Sequence, residues 1–161
     1  MPHNQVIIII NGEDQRTLNE VSNKIILSKK ILKNIDKDHT LLQTNFDSIE
    51  DLIKANTIIK SRFSNIDELI IVNKDIDLNM ISYQYDYNHI NQNYQELINV
   101  IYFINLLVPL FKNKFNFIVS FEKNNHYKIH LNNFKISLIN YLKSLKVDLV
   151  KFSKINIKIL N

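Results

Sequence analysis

Cysteine and tryptophan are absent from this 161-residue chain, which also has only one glycine and two prolines. Without cysteine the protein can form no disulfide, thiolate nucleophile or zinc–sulfur site. The sequence also lacks a run of roughly 18 consecutive apolar residues, the length that a membrane span needs. No basic and apolar leader of the secretory type precedes the first apolar run. These absences predict a cytoplasmic protein without membrane contact.

A strong charge of one sign is absent as well. The formal net charge is +4 and the lysines are spread along the chain, whereas a nucleic-acid binder usually concentrates its basic residues on one face. The densest cluster consists of Lys29, Lys30, Lys33 and Lys37, which we interpret as a solvated helix end. A weakly basic nucleic-acid-associated protein is therefore the least favoured of three functional classes.

What the chain does contain is an ordinary globular composition, with 45% hydrophobic residues and the length of one domain over residues 1–161. Isoleucine, asparagine and lysine are heavily used, a bias typical of AT-rich genomes. Five short apolar runs predict strands, at 6–10, 39–45, 68–72, 115–121 and 155–159. Four segments of helical periodicity lie between them.

The first helical segment follows Gly12. Its apolar residues recur at spacings of three, four and seven: Leu18, Val21, Ile25, Leu32 and Ile35. This pattern predicts one long helix before the second strand. Ser48, with an acid three residues later, predicts the start of a second helix. We expect that helix to bury Ile49, Leu52, Ile53 and Ile59. The third helix is predicted from Ile90 to Lys112 and the fourth from Phe134 to Leu145.

Strands that alternate with helices are typical of βαβ units. The sequence therefore predicts a single α/β domain, Rossmann-like, with a three-layer α/β/α arrangement and a mainly parallel sheet of about five strands. The beginning of the chain supports this interpretation, because an apolar strand, a glycine turn at Gly12 and a helix form the usual start of dinucleotide-binding folds.

Four segments, in order, resemble motifs of the short-chain dehydrogenase/reductase family. Residues 45–52 (Asn-Phe-Asp-Ser-Ile-Glu-Asp-Leu) are similar to its D-V-T-D-x-x-x-V step, and residues 63–73 to F-G-x-I-D-x-L-V-N-N-A-G. Residues 106–111 followed by 117–120 resemble A-L-L-P-x-M and I-V-x-x-S-S. Tyr127 to Leu145 can be laid on Y-x-x-x-K-A-A-L and the helix that it opens.

The resemblance implies site residues and a shortened chain. Tyr127 and Ser120 take the positions of the catalytic tyrosine and serine. Gly12 takes that of the first cofactor-loop glycine, Asn45 that of the adenine-binding aspartate, and Asn73 that of the first residue in N-A-G. Because one helix fills the stretch between Gly12 and Asn45, we expect a strand and a helix of the full family to be missing there.

Several positions that the family's chemistry needs are changed. Leu131 replaces the lysine that lowers the pKa of the tyrosine, whose phenol is otherwise a poor base at neutral pH. Glu96 lies at the position of the asparagine that holds a water relay. Arg16 and Leu18 replace the other two glycines of the cofactor loop, where a Cβ hinders approach to a pyrophosphate. These changes predict that Ser120, Tyr127, Gly12, Asn45 and Asn73 are vestigial, and that no cofactor binds.

The function predicted from the sequence is therefore a non-catalytic protein that acts through protein–protein contacts. The resemblance implies a homo-oligomer or larger assembly formed through the helices near Ile90–Lys112 and Phe134–Leu145. The alternative is an NAD(P)-dependent oxidoreductase with a rearranged site around Tyr127 and Ser120, with NAD or NADP as its cofactor. No metal site is predicted, because none of the five histidines has an acidic partner in a known motif.

Overall fold

In the computed structural model, strands and helices alternate from residue 40 onward. The structure describes residues 4–10, 24–29, 40–73, 87–121 and 129–160. The elements, in order, are β1 (Gln5–Ile10), β2 (Lys24–Ser28), β3 (Thr40–Gln43), α1 (Ile49–Arg62), β4 (Ile66–Asn73), α2 (Tyr87–Leu107), a 3-10 turn (Val108–Leu110), β5 (Phe111–Phe121), α3 (Ile129–Asp148) and β6 (Lys154–Leu160).

These six strands form one sheet in the order β3-β2-β1-β4-β5-β6, and every neighbouring pair is parallel. The central strands are continuous apolar runs, as expected where a parallel sheet is covered on both faces. In β1, for example, Val6, Ile7 and Ile8 are all fully buried. The predicted Rossmann-like α/β fold with a mainly parallel sheet is confirmed, and the described sheet has six strands where about five were predicted.

The helices α1, α2 and α3 pack on one face of the sheet. Side chains from all three join alternate strand residues such as Val6, Leu69 and Phe117 in one apolar cluster. The intervening strand residues form a second cluster on the other face: Ile7, Ile9, Ile26, Ile70 and Val72. The segments that link β1 to β2 and β2 to β3, residues 11–23 and 30–39, lie outside the described residues. A helical layer on this second face is therefore untested.

The strand β2 corrects the prediction of one long helix between Gly12 and Asn45. Ile25, Ile26 and Leu27 are fully buried between β1 and β3, so the strand that was expected to be missing is present. Ile25 had fitted the helical spacing by coincidence. A three-residue apolar run is too short for periodicity to distinguish a strand from a buried helix.

The helix α1 starts as predicted, with the Ser48 hydroxyl accepting a hydrogen bond from the backbone N–H of Asp51 at 3.3 Å. Its buried face consists of Leu52, Ala55, Asn56 and Ile59. The expectation for Ile49 and Ile53 is wrong, because both side chains are exposed. The residues at positions 52, 55, 56 and 59 are spaced by three or four and form the face of α1 that packs on the sheet. Ile49 and Ile53 lie outside that face.

Two helices also differ from their predicted bounds. The helix α2 ends at Leu107, before Pro109, which lacks a backbone N–H and lies in the 3-10 turn. Phe111 and Lys112 therefore begin β5 instead of extending the helix. The helix α3 extends beyond its predicted ends, from Ile129 to Asp148. None of the helices in the described ranges is long and apolar enough to cross a membrane.

A side-chain hydrogen bond joins α2 to α3 at their outer surface. The hydroxyl of Tyr141 donates to Asn105 Oδ1 at 2.5 Å. Burial, together with the charge of Asp148, raises the pKa of Tyr141 to about 12. This tyrosine therefore stays protonated at neutral pH and holds the two helices together as a neutral donor.

Candidate functional site

The strand order places a switch point between β1 and β4. From β1 the chain adds β2 and β3 on one side, then returns to add β4, β5 and β6 on the other. In open α/β sheets the connections diverge at such a switch point, and ligands bind in the crevice outside the carboxyl ends of the two strands. Here those ends are Ile10 of β1 and Asn73 of β4, which are direct neighbours in the register.

Three of the predicted site residues reach this carboxyl edge. Asn45 follows β3 by two residues, Asn73 is the last residue of β4, and Ser120 precedes the last residue of β5. They are not gathered at one point, because β3 and β4 are three strand spacings apart, about 14 Å. Gly12 and Tyr127 lie outside the described residues.

The Asn45 side chain has a local structural role. Its Oδ1 accepts a hydrogen bond from the backbone N–H of Asp47 at 3.2 Å, and the backbone N–H of Asn45 donates to Asp51 Oδ2 at 3.4 Å. Such a turn stabilises the entry into α1. The Oδ1 of Asn45 is therefore held in the turn. The residue is exposed at the carboxyl edge, so the rest of its side chain is accessible to solvent.

Ser120 lies on the sheet face opposite α1, α2 and α3. It is in register with Val72 of β4 and Leu160 of β6, and Val72 belongs to the second apolar cluster. Its side chain is half-buried. The structure therefore places Ser120 beside the end of β4, one strand from Asn73.

A buried ion-pair cluster at the same edge was not predicted. Lys29 directly follows β2, and its Nζ lies 2.6 Å from Glu96 Oε1 on α2 and 3.1 Å from Asp47 Oδ2 in the β3–α1 turn. The carboxylate of Glu96 is buried while the other two groups are partly exposed. This ion pair links three elements that meet beside the crevice.

Lys29 stays charged in this setting. Burial lowers its pKa, but the hydrogen bond and charge of Glu96, together with those of Asp47, outweigh that effect and raise the pKa above its ordinary value of 10.5. The sequence interpretation of Lys29 as part of a solvated helix end was therefore wrong. One signal was available, because Glu96 is an acid on the apolar face of a predicted helix, where a buried carboxylate needs a cationic partner.

Next to this ion pair, Asn99 fixes α2 to the β3–α1 turn. Its Nδ2 donates to the backbone oxygen of Phe46 at 2.5 Å, and its Oδ1 accepts from Gln95 Nε2 at 3.0 Å. Asn99 and Phe46 are both buried. On the side of the edge near β2 and β3, polar contacts of Lys29 and Asn99 therefore join α2 to the β3–α1 turn.

Across the described ranges, no three histidine, aspartate or glutamate residues lie close enough together to hold a metal ion. The chemistry that the described residues offer at this edge is a cation, two carboxylates and amides. Such groups bind polar ligands by hydrogen bonds, and the Ser120 hydroxyl lies at the same edge.

No protein-family model and no curated protein matches the sequence, but solved structures do. A short chain dehydrogenase family protein from Francisella tularensis subsp. tularensis SCHU S4 aligns with a TM-score of 0.75 at 13% identity, over 98% of this chain and 68% of its own. The 3-ketoacyl-(acyl-carrier-protein) reductase from Brucella melitensis, complexed with NADH, gives 0.73 at 15% identity, over 99% and 75%. L-Sorbose reductase from Gluconobacter frateurii, complexed with NADPH and L-sorbose, gives 0.73 at 12%, over 99% and 69%.

These structures correct the expectation that no cofactor binds. Two of the three contain a nicotinamide cofactor, NADH in one and NADPH in the other. They share with this chain a fold whose strand ends form a dinucleotide crevice. The expectation was based on the lost glycines of the cofactor loop. The likeness to structures that hold NADH or NADPH instead favours the binding of a nicotinamide cofactor.

The likeness covers nearly the whole chain, at identities between 12% and 15%. The strand β2, which the sequence prediction had omitted, is part of the sheet order β3-β2-β1-β4-β5-β6. At this level of identity the shared property is the fold. The chain thus has the fold of the short-chain dehydrogenase/reductase family, and it spans between 68% and 75% of the length of these three structures.

Proposed function

We propose that this chain binds a nicotinamide dinucleotide in the crevice outside the carboxyl ends of β1 and β4. The observation that carries the proposal is the strand order, which places a switch point between these two strands. The NADH and NADPH held by two structures of the same fold support it. The described residues at this edge include the Asn45 amide, in the turn after β3, and the Ser120 hydroxyl, on β5, and such groups can hydrogen-bond to a dinucleotide.

The cluster around Lys29 supports a preference for the cofactor without a 2′-phosphate. In dinucleotide folds an acid about 20 residues after the first glycine accepts the ribose 2′-hydroxyl, while a cation accommodates a 2′-phosphate. Lys29 follows Gly12 by 17 positions, but Glu96 and Asp47 already neutralise it. The three groups together carry one negative charge, which repels a phosphate and leaves Asp47 able to accept a hydroxyl.

The proposed role is binding without the hydride transfer of the family. A bound nicotinamide supplies a hydride donor or acceptor, but the chain's own residues must then move a proton. Leu131 stands where a lysine would lower the pKa of Tyr127. Glu96, at the relay position, is held by Lys29. The alternative, an oxidoreductase around Tyr127 and Ser120, predicts cofactor turnover that Tyr127→Phe abolishes.

Thermal unfolding with added cofactor tests the binding. A ligand that binds only the folded state raises the melting temperature, so NAD(H) is expected to give a larger rise than NADP(H). Asp47→Ala removes one carboxylate beside Lys29 and should strengthen NADP(H) binding about fivefold, or about 1 kcal/mol. Glu50→Ala, which removes an exposed acid of α1 outside this cluster, is the matched control. Absence of any rise with either cofactor would contradict the proposal.

A second function, self-association through α2, is favoured by the exposed face of that helix. Tyr94, Ile98 and Tyr102 are large, exposed and spaced by four residues, so they form one stripe on the side away from the sheet. The stripe is symmetric about Ile98, with a tyrosine four residues away on each side. A second copy related by a two-fold axis near Ile98 would therefore meet a self-complementary surface. We propose this occupant for the stripe, and tyrosine-rich centres are typical of protein interfaces.

Light scattering after size-exclusion chromatography tests the association. The wild-type chain is expected to elute as a dimer, and Ile98→Lys as a monomer, because two lysines would be buried opposite each other at the axis. Ile53→Lys is the control, since Ile53 is also an exposed apolar residue, on α1. A wild-type monomer at high protein concentration would rule out the second function and leave cofactor binding untouched.

A further inference from the structure

The turn between α3 and β6 exposes three large apolar side chains. Val147 is 70% exposed, Val150 71% and Phe152 76%. They lie within six consecutive residues at the end of α3 and in the turn that follows. Apolar residues scattered singly over a surface need no explanation, but a cluster with this exposure does. We define these three residues as the apolar tip.

The backbone that carries the apolar tip is well fixed. The N–H groups of Phe152 and Ser153 both donate to the oxygen of Leu149 at 2.9 Å, and the Leu149 N–H donates to the oxygen of Leu145 at 3.0 Å. The Ser153 hydroxyl donates to the oxygen of Lys112 on β5 at 2.7 Å. Leu149 packs against the main apolar cluster. The exposure of the tip is therefore a property of an ordered turn.

Lysines surround the apolar tip. Residues 143–154 contain four lysines and one aspartate, so this segment carries a net charge of +3 in a chain whose total is +4. The lysines are Lys143, Lys146, Lys151 and Lys154, and all are exposed. Within the described part of the chain, none of the four forms an ion pair. Their charge is available to an anionic partner.

The surface lies at the amino end of the sheet, away from the cofactor crevice. The turn leads into the first residue of β6, where Lys154 is the register neighbour of Lys114 on β5. Lys114 is exposed and also lies outside the ion pairs of the described residues. The basic surface thus continues from the turn onto the neighbouring strand.

We infer that this end of the molecule is a peripheral membrane-contact surface that binds anionic lipid. The apolar tip would enter the boundary between head groups and acyl chains, while the lysines contact lipid phosphates. The expectation of no membrane contact was based on the lack of a spanning segment. A protein that lies on a bilayer needs no such segment, because a few buried apolar side chains and a basic rim are sufficient.

The shape and chemistry of the surface favour a bilayer over two other partners. A specific protein interface buries about 800 Å² on each partner, whereas the tip is three protruding side chains on one turn. Nucleic acid would satisfy the lysines, but aliphatic groups such as Val147 and Val150 gain nothing from a phosphate backbone. A bilayer with anionic head groups matches both the apolar tip, through its acyl chains, and the lysines, through its phosphates.

Vesicle sedimentation and fluorescence test the inference. The wild-type chain is expected to sediment with phosphatidylcholine vesicles that contain phosphatidylserine, and much less with phosphatidylcholine alone. Val150→Ser/Phe152→Ser should weaken binding about tenfold by removing apolar burial. Ile53→Ser and Ile58→Ser, which remove exposed apolar residues of α1, should bind as the wild type does. Lys146→Gln/Lys151→Gln should remove the preference for phosphatidylserine.

The absence of tryptophan allows a direct measurement of insertion. Phe152→Trp introduces a single reporter, whose emission should shift to shorter wavelength with anionic vesicles and be quenched by lipids brominated on the acyl chains. Ile53→Trp, on α1, should show neither change. Sedimentation that the serine variant retains, or binding to single-stranded RNA with no shift in Phe152→Trp, would overturn the inference in favour of a purely electrostatic surface.

Discussion

Lys29→Met is expected to destabilise the protein by about 3 kcal/mol, because it leaves the carboxylate of Glu96 buried without its cation. The Glu96 side chain is 6% exposed and that of Lys29 30%, so the glutamate cannot turn to water as the lysine can. Glu96→Met should therefore cost less, about 1 kcal/mol. Replacing both residues by methionine should restore most of the stability, since an apolar pair of similar volume avoids the desolvation of both charges.

The pH dependence of stability gives a second test of the same pair. The pKa of Lys29 is higher in the folded chain than its ordinary value of 10.5, so the ion pair stabilises the fold fully below that pH. This stabilisation is lost as the pH rises through the folded pKa, because the unfolded chain releases the proton first. The double methionine variant should lack this part of the alkaline loss.

Urea unfolding of the four proteins measures these differences as a double-mutant cycle. Lys54→Met is the control, because Lys54 and Asp51 form an exposed pair at 3.8 Å, and such pairs contribute about 0.5 kcal/mol or less. If Lys29→Met and Lys54→Met lowered stability equally, the ion pair beside the crevice would be an ordinary surface contact. Its part in the proposed cofactor preference would then lose its structural basis.

Local patterns in the sequence predicted most of the fold. The capping residue Ser48, the long periodic stretch of α2 and the alternating residues of β6 all depend on neighbours within one element, so spacing alone is sufficient. The strand β2 was missed because its apolar run coincided with a helical spacing through Ile25. Only pairing with β1 and β3 decides that conflict, and pairing between distant segments is not visible in periodicity.

The candidate site was less predictable for the same reason. Motif resemblance placed Asn45, Asn73 and Ser120 at strand ends, and the structure has all three there. It could not pair Lys29 with Glu96, which are 67 positions apart. Motif matching considered Glu96 only as a replaced asparagine. The physical question, which cation pairs with an acid on an apolar helix face, would have identified an ion pair but not its lysine.

Substitutions on the buried face and on the exposed face of α2 are expected to have different effects, the first on stability and the second on self-association. Phe103→Ala should lower the free energy of unfolding by about 4 kcal/mol, because Phe103 is fully buried in the cluster between the helices and the sheet and its removal leaves a cavity. Tyr102, the preceding residue, belongs to the exposed stripe. Tyr102→Ala should change the stability of the monomer by less than about 1 kcal/mol.

Unfolding measured at two protein concentrations distinguishes the two effects. Association with a second copy makes the melting temperature rise with concentration, and Tyr102→Ala should reduce that dependence. Phe103→Ala should lower the melting temperature by a similar amount at both concentrations, since its cavity is inside one chain. A large, concentration-independent loss in Tyr102→Ala would mean that the stripe is part of the chain's own core. The helix would then have no free face for a partner, and self-association through α2 would be excluded.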